Sequence, residues 1–570
     1  MQDNRLKQLI AQAVKGDFIA SELIANIEVP PNPDMGDYAL VCFKFAAKLK
    51  KSPIVIAKEI ADSLTVLPYP LASVEAVGGY VNFTIDKEYI AKEVFNQVLN
   101  LKGQYGAGKP CGKTICIDFS SINIAKPFHI GHLSTTVLGA ALYRLYKKLG
   151  YNVVGINHLG DWGTQFGKLI YAFLTWSNPD KLKRKGIAEL SELYVRYHRQ
   201  AEQDATLDDK AREWFKKIEE GNEQALQLFG LFKEITLCEV SKVYERLGVT
   251  FDSYNGEAFY NDKMDIVIDE LQAKGLLADS QGAKIVDLEE YGMAPCLIKK
   301  ADGASLYATR DLAAAYYRKN TYNFYKCLYV VAYQQALHFR QVFKVLELLG
   351  KDWAQDLVHV QFGMVSLEDG TMSTRKGKVV LLQDLLDRAK EKALEIIMQK
   401  NPELEDKEEV AEMVGTGAVI FGTLYNNRIK DIVFSYDKAL NFDGETGPYL
   451  QYTLARCTSV LEKGGFAEML TAPFEYKDEF AGVDNKEGET VIALLGSYPR
   501  VLVEAGEKYE PSLIARHLID IAQAFNKFYY EHRILCGGAE QTGRIALVCA
   551  VAHILKDGLS LLGVKLPKKM

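Results

Sequence analysis

The chain has 570 residues, too many for one hydrophobic core, so two to four domains are expected. Its 48% apolar and 25% charged content is that of a soluble globular protein, and no uninterrupted apolar run reaches the ~18 residues that span a bilayer. A net charge of −6 argues against a protein that coats nucleic acid indiscriminately, while leaving room for a local basic face that meets phosphates.

The N-terminus, MQDNRLKQLIAQAVKG, alternates charged and apolar residues as an amphipathic helix does and lacks the apolar stretch of a signal peptide. The nine cysteines are scattered, odd in number and contain no C-x-x-C pair. They read as reduced thiols of a cytoplasmic protein, with no zinc site and no other protein-bound metal.

In chain order, helical periodicity runs over 2–20 and again through YALVCFKFAAKLK (38–50). Alternating ASVEAV and GYVNFTID, bounded by Gly78 and Gly79, predict strands, and the glycine- and lysine-rich LNLKGQYGAGKPCGK predicts a linker. TICIDFS (114–120) predicts a buried strand, HLSTTVLGAALYRLYKKL (132–149) a helix, and YNVVGIN (151–157) another strand. Strand, loop, helix, strand is how a parallel doubly wound sheet begins, with ligands beyond the carboxyl ends of its strands. A charged helical insertion covers about 175–245, and strand patterns return at KCLYVVAY (326–333) and LVHVQFGMVS (357–366). From about 380 the chain reads as helical, apart from a polar loop, TAPFEYKDEFAGVDNKEGET.

At the carboxyl end of the first buried strand stands HIGH: His129, Ile130, Gly131 and His132. A glycine between two histidines at a strand-to-helix turn lets a purine lie against backbone while the imidazoles donate to phosphate oxygens. Preorganised donors of this kind stabilise the charge that develops in adenylyl transfer by roughly 3–4 kcal/mol. The bare tetrapeptide fits equally well a pair of histidines capping a helix.

The longer stretch DFSSINIAKPFHIGHL, followed by NHLGDWGTQFGKLIYAF, closely resembles the arginyl-tRNA synthetases, a class I aminoacyl-tRNA synthetase family. Two departures are visible: Ile122 stands where the family usually has proline, and Ser134 where an arginine is common. The segment VSLEDGTMSTRKGKVV (365–380) resembles the family's KMSKS-type loop. Thr374 takes the place of its second lysine, with Arg375 and Lys376 following, and Lys126 sits where a lysine upstream of HIGH substitutes for it. A cation near the departing pyrophosphate is required; Lys126 is favoured, with Arg375 and Lys376 as closing contacts or a solvated basic turn.

The resemblance implies an arginine–tRNA ligase that forms arginyl-adenylate from ATP and L-arginine, with Mg²⁺ on the phosphates, and transfers arginine to the terminal adenosine of arginine tRNA. It further implies that activation needs bound tRNA. His129, Gly131, His132, Met372 and Ser373 would hold ATP. A guanidinium requires carboxylates and acceptors in a fixed array. Asp118, Tyr307 and Asp311, supported by Gln335, would meet the arginine side chain, while Ser121, Asn123 and His132 hold its amino-acid end. Asp311 also suits a helix N-terminus, where its charge complements the dipole. Asp161 and Trp162 are assigned a structural turn.

ALNFDGETGPYLQYTLARCTSVLEK (439–463) and YEPSLIARHLIDIAQAFNKFYYEHRIL (509–535) resemble the family's anticodon-binding helices. Tyr449, Tyr452, Asn526, Tyr529 and Arg533 are candidates there for stacking and reading unpaired bases, although aromatics at helical spacing are more often core. Tyr80 and Asn82 are the candidates in an N-terminal domain expected to touch tRNA. The expected architecture is α/β: a Rossmann-like doubly wound parallel-sheet catalytic domain (106–390), an N-terminal α+β domain (1–105) and a C-terminal all-α helical bundle (391–570). A monomer without membrane attachment is expected. A smaller H-x-G-H nucleotidyltransferase would lack the helical tail, a cysteinyl enzyme would want zinc ligands, and a silent tRNA-binding paralogue would carry a damaged HIGH or Tyr307–Asp311 pair.

Overall fold

Glycine 16, at φ 125°, ends the first helix at Gln2–Ala13, well short of residue 20 where periodicity alone would carry it. The structure, a computed structural model, describes every residue except Met1, Asp17, Pro31, Pro33, Asp34, 301–306, 368–379 and Asp478, and the side chains of residues 2–4 and Leu367. The chain divides into two compact units. One comprises Met1–Lys102, Val460–Gly496 and Ala524–Val551; the other comprises Gly103–Ser459, Ser497–Gln523 and Ala552–Met570.

In the first unit, strands Ile27–Glu28 (β1), Tyr38–Val41 (β2), Leu71–Val77 (β3) and Tyr80–Ile85 (β4) form an antiparallel sheet in the order β1-β2-β4-β3. The helix expected over 38–50 is thus corrected. Tyr38, Ala39 and Leu40 are all buried and pair with Phe83, Asn82 and Val81, and only Ala46–Leu49 is α-helical. A continuous apolar run carries no period of its own, and strand pairing decided it. Asp86 caps the helix Lys87–Leu101 by accepting from the Tyr89 N–H at 2.8 Å. Lys87 pairs with Glu489 at 2.5 Å, and the Asn100 side chain bonds both ways to the Phe474 backbone, which joins the 460–496 segment to this head.

The second unit is built on Thr114–Asp118 (β5), Asn152–Ile156 (β6), and, after Leu277–Ser280 (β7), Ala283–Val286 (β8) and Cys296–Lys299 (β9), on Lys326–Ala332 (β10) and Leu357–Phe362 (β11). β5, β6, β10 and β11 form one parallel sheet in the order β11-β10-β5-β6. From β5 the chain winds through helix Leu133–Lys148 to β6 on one side. From β10 it winds through helix Ala336–Leu348 to β11 on the other. The direction of winding reverses between β5 and β10, which opens a crevice at their carboxyl ends. The core beneath it includes Cys116, Val267, Leu312, Cys327 and Val345, all essentially inaccessible.

β7, β8 and β9 make a separate antiparallel sheet, and Val365–Leu367 (β12) pairs in parallel with Ile432–Phe434 (β13). The β7–β9 sheet and β13 were not expected from the pattern, because strands of three or four residues are too short to show one, and the strand pattern read over 357–366 divides into β11 and the start of β12. The insertion is helical as expected, from Pro179–Lys185 to Glu223–Leu247. It packs closely on helix Thr164–Trp176: a Cβ on Gly167 would lie 1.9 Å from the Ala211 carbonyl oxygen. In the tail, helix Gly538–Leu562 is long and apolar enough to cross a membrane, and 83% of its most apolar window is buried inside the protein.

Candidate active site

β5 ends at Asp118, and the chain then turns with Ser120, Ser121 and Ala125 at φ 70°, 45° and 60°. Left-handed conformations of this kind cost non-glycine residues about 1–3 kcal/mol each and persist only where neighbours hold them. Here a buried polar network does so. The Ser120 N–H donates to Thr135 Oγ1 at 3.0 Å, and Thr135 donates to the Val330 carbonyl at 2.7 Å, which bridges β5 to β10. The Ser120 hydroxyl meets Tyr244 at 2.7 Å, and Tyr244 accepts from Asn157 at 2.9 Å. Ser134, the departure from the usual arginine, is buried and lines a cavity of about 20 Å³ with Arg428 and Glu510.

The two histidines cap their helix and each other. His129 Nδ1 accepts from the Gly131 N–H at 3.1 Å, and His132 Nδ1 lies 3.3 Å from the His129 N–H and 3.2 Å from the His129 carbonyl oxygen. Their rings lie 4.1 Å apart. With its Nδ1 accepting, the His129 ring carries its proton on Nε2, which is then an N–H donor. Burial, the neighbouring ring and Lys126 push His132 down to about 3, and burial and Lys126 depress His129. Both are therefore neutral donors near pH 7. At His129 capping and phosphate donation use different nitrogens, so the two readings of HIGH coexist. Lys126 is half-buried and makes no ion pair among the described residues. Burial lowers its pKa, and the Glu257 charge opposes that.

Beside this loop, Asp118 and Arg318 are 5% and 1% exposed and pair at 2.7 Å. Ser121 donates to the other oxygen of Asp118 at 2.8 Å. Arg318 Nη2 lies 3.4 Å from His158 Nδ1, and its guanidinium lies 5.2 Å from the Tyr329 ring centroid. Asp311, two helical turns before Arg318, meets His338 Nε2 at 2.6 Å. Burial alone would raise Asp311, but the hydrogen bond from His338 and the charges of His338, His158 and Arg318 hold it below the usual carboxylate range. Burial pushes Glu257 up to about 7; Arg310 and Lys126 oppose this, and Asp311 and Asp161 add to it. The crevice therefore gathers carboxylates beside a half-buried lysine and two imidazole donors.

The C-terminal flank of the 365–380 stretch is held against the two-histidine loop. The Ile130 N–H donates to the Val380 carbonyl at 3.1 Å, the Leu382 N–H donates to the Phe128 carbonyl at 2.9 Å, and His129 pairs antiparallel with Leu381. Residues 371–377, with Met372, Ser373, Arg375 and Lys376, lie outside the described residues.

Three family models match the chain: the class I (R) tRNA synthetase catalytic domain over 94–436, the DALR anticodon binding domain over 450–570 and the arginyl tRNA synthetase N terminal domain over 4–85. The chain belongs to the class I arginyl-tRNA synthetase family. It is 52% identical to the arginine–tRNA ligase of Halothermothrix orenii and 50% identical to that of Alkaliphilus metalliredigens, with 99% of each chain covered in both cases. The arginyl-tRNA synthetase structures from Thermus thermophilus and Plasmodium falciparum share its fold, with TM-scores of 0.82 and 0.78 at 23% identity. Both cover 100% of this chain, and 100% and 99% of their own.

Of the residues singled out by likeness to the arginyl-tRNA synthetase family, the structure gathers Asp118, Ser121, Lys126, His129, Gly131, His132 and Asp311 at the carboxyl ends of β5 and β10. Asn123 forms a bridge with Gly160 beside them. Tyr307 opens its helix 64% exposed, and Gln335 is exposed after β10. Asp161 accepts from the Ala258 N–H at 2.9 Å and pairs with Lys233 at 2.7 Å, while Trp162 packs edge-on against Phe215. Tyr449 and Tyr452 belong to the unit of the catalytic sheet, and Arg456 lies over the Tyr452 ring. Tyr80, Asn82, Asn526, Tyr529 and Arg533 belong to the other unit. Asn82 is 6% exposed, and Tyr80 packs against Phe43. Sequence reasoning missed Arg318, His158, Glu257 and His338. Arg318 had a signal: it follows Asp311 by seven residues on one helix, hence on one face.

Proposed function

We propose that this chain ligates L-arginine to arginine tRNA in two steps in the β5–β10 crevice. Arginine's carboxylate attacks the α-phosphate of ATP, which enters with its Mg²⁺, and pyrophosphate leaves. The terminal ribose hydroxyl of the tRNA then attacks the adenylate carbonyl and releases AMP. The observation that carries this reading is the seam between 128–130 and 380–382, because it brings the flank of the second catalytic stretch to the two-histidine loop.

The Nε2–H of His129 is a fixed donor for phosphate oxygens, with the His132 ring beside it, and Gly131 lets the adenine approach the backbone. Lys126, close to Glu257 but without an ion pair among the described residues, is the cation for the departing pyrophosphate; Met372, Ser373, Arg375 and Lys376 add contacts to ATP. Asp311 and Glu257 offer the carboxylates a guanidinium requires, with Tyr307 and Gln335 at the mouth and Ser121, Asn123 and His132 toward the amino-acid end. Asp118 already holds Arg318 and Ser121, so it acts on substrate through them. Tyr80, Asn82, Tyr449, Tyr452, Asn526, Tyr529 and Arg533 are tRNA contacts of the N-terminal (1–105) and C-terminal (391–570) domains that flank a 106–390 catalytic domain. The chain works as a cytoplasmic monomer.

Charging assays with each of the twenty amino acids test the reading: arginine alone is esterified, and charging of another amino acid overturns it. Replacing Lys126 with alanine lowers kcat about 10²–10³-fold, the loss typical of one preorganised electrostatic group. Near-normal turnover would transfer its role to Arg375 or Lys376.

A further inference from the structure

His338 Nε2 lies 2.6 Å from Asp311 Oδ2, the carboxylate assigned to the substrate guanidinium. Both side chains are about one-quarter exposed, so solvent only partly screens their charges. Around them stand His359 from β11, whose Nε2 is held by the Val331 carbonyl at 2.9 Å, then His158 after β6, Arg318 on the helix of Asp311, and Glu257. We infer that His338 is the resident cation of the guanidinium site, neutralising Asp311 while the site is empty and releasing its proton to solvent when arginine binds. This inference rests on the reading of Asp311 given above.

The chemistry follows from the sum of charges. A carboxylate in a half-desolvated crevice needs a counter-ion. A protonated imidazole supplies one, but it then repels an arriving guanidinium. Neutral His338 keeps its Nε2–H on one oxygen of Asp311 and leaves the other oxygen to the substrate, so discharge removes the repulsion without releasing the carboxylate. The direction of the shifts agrees. Burial would depress His338, but its hydrogen bond to Asp311 and that charge raise it above its ordinary value. Arginine affinity is then full above that raised value and falls as pH drops through it, by up to about tenfold per unit. His338 is thus a positioning residue that sets the charge seen by the substrate.

Calorimetric titration of the full-length chain with L-arginine near pH 7, in buffers of different ionisation enthalpy, counts the protons released. A fraction of a proton, at most one, is expected per arginine bound, vanishing as pH is raised. His338→Gln keeps a donor but cannot titrate there, so it should release fewer protons than the native chain, only the share that Glu257 gives up, and bind arginine with less pH dependence. Because Glu257 also faces the guanidinium, Glu257→Gln should bind arginine more weakly and, at saturating arginine, still release the His338 share. No release by the native chain, or undiminished release by His338→Gln, overturns the inference alone. If Asp311→Asn binds arginine as tightly as the native chain, or if free arginine does not bind, the reading of the guanidinium site falls with it.

Discussion

Asp118 and Arg318 are each buried beneath the crevice, and neither has water to fall back on. Removing one partner of such a pair leaves an uncompensated charge, typically at a cost of 3–5 kcal/mol. Asp118→Asn should therefore lower the unfolding free energy by about that amount in urea titrations. His132 makes a pH-dependent contribution of the opposite kind. Its folded value of about 3 lies below the ordinary 6.5, so unfolding takes up a proton. That stability is complete above pH 6.5 and is lost as pH falls toward 3, by at most ~1.4 kcal/mol per unit. The denaturation midpoint of His132→Asn should change less between pH 7.5 and 5 than that of the native chain. Both histidines and Lys126 could be found in the sequence because they crowd into one loop. The ion pair could not, because β5 and the helix of Arg318 meet only through the tertiary fold.

The helix Leu133–Lys148 is placed by a close approach. A Cβ on Gly139 would lie 2.2–2.5 Å from Phe119, the residue that follows β5. Gly139→Ala should cost about 1–3 kcal/mol through overpacking, since Phe119 is fully buried and has nowhere to retreat. It should also lower kcat, because the displaced helix carries the histidine loop; thermal melts and steady-state charging check the two effects. Elements of five residues or more, such as the apolar run of β5, β6 and this helix, could be read to within a residue or two. β13 could not: three residues do not make a period, and its pairing with β12 joins parts of the chain that no local pattern connects. In Tyr38–Val41 burial was legible but conformation was not, since helices and strands bury unbroken apolar runs equally well.

Across the unit of the catalytic sheet, the far end of the same helix is fastened to the tail. Arg144 donates to the Leu561 carbonyl at 2.9 Å and Tyr146 to that of Gly506 at 2.7 Å. Lys148 pairs with Asp557, which also accepts from Tyr498 at 2.8 Å. Lys148 and Asp557 are 7% and 14% exposed, so Asp557→Ala strands a buried ammonium and should cost roughly 3–5 kcal/mol. Its arginine KM should stay near that of the native enzyme, because the change lies at the opposite end of the helix from the crevice; denaturation and initial-rate measurements separate the two. The pairing of 128–130 with 380–382 stitches together strands of chain that translation delivers far apart in time. A polypeptide severed between Leu367 and Val380 should therefore still travel as one particle on a sizing column, its break showing only when denaturant unpicks the stitches.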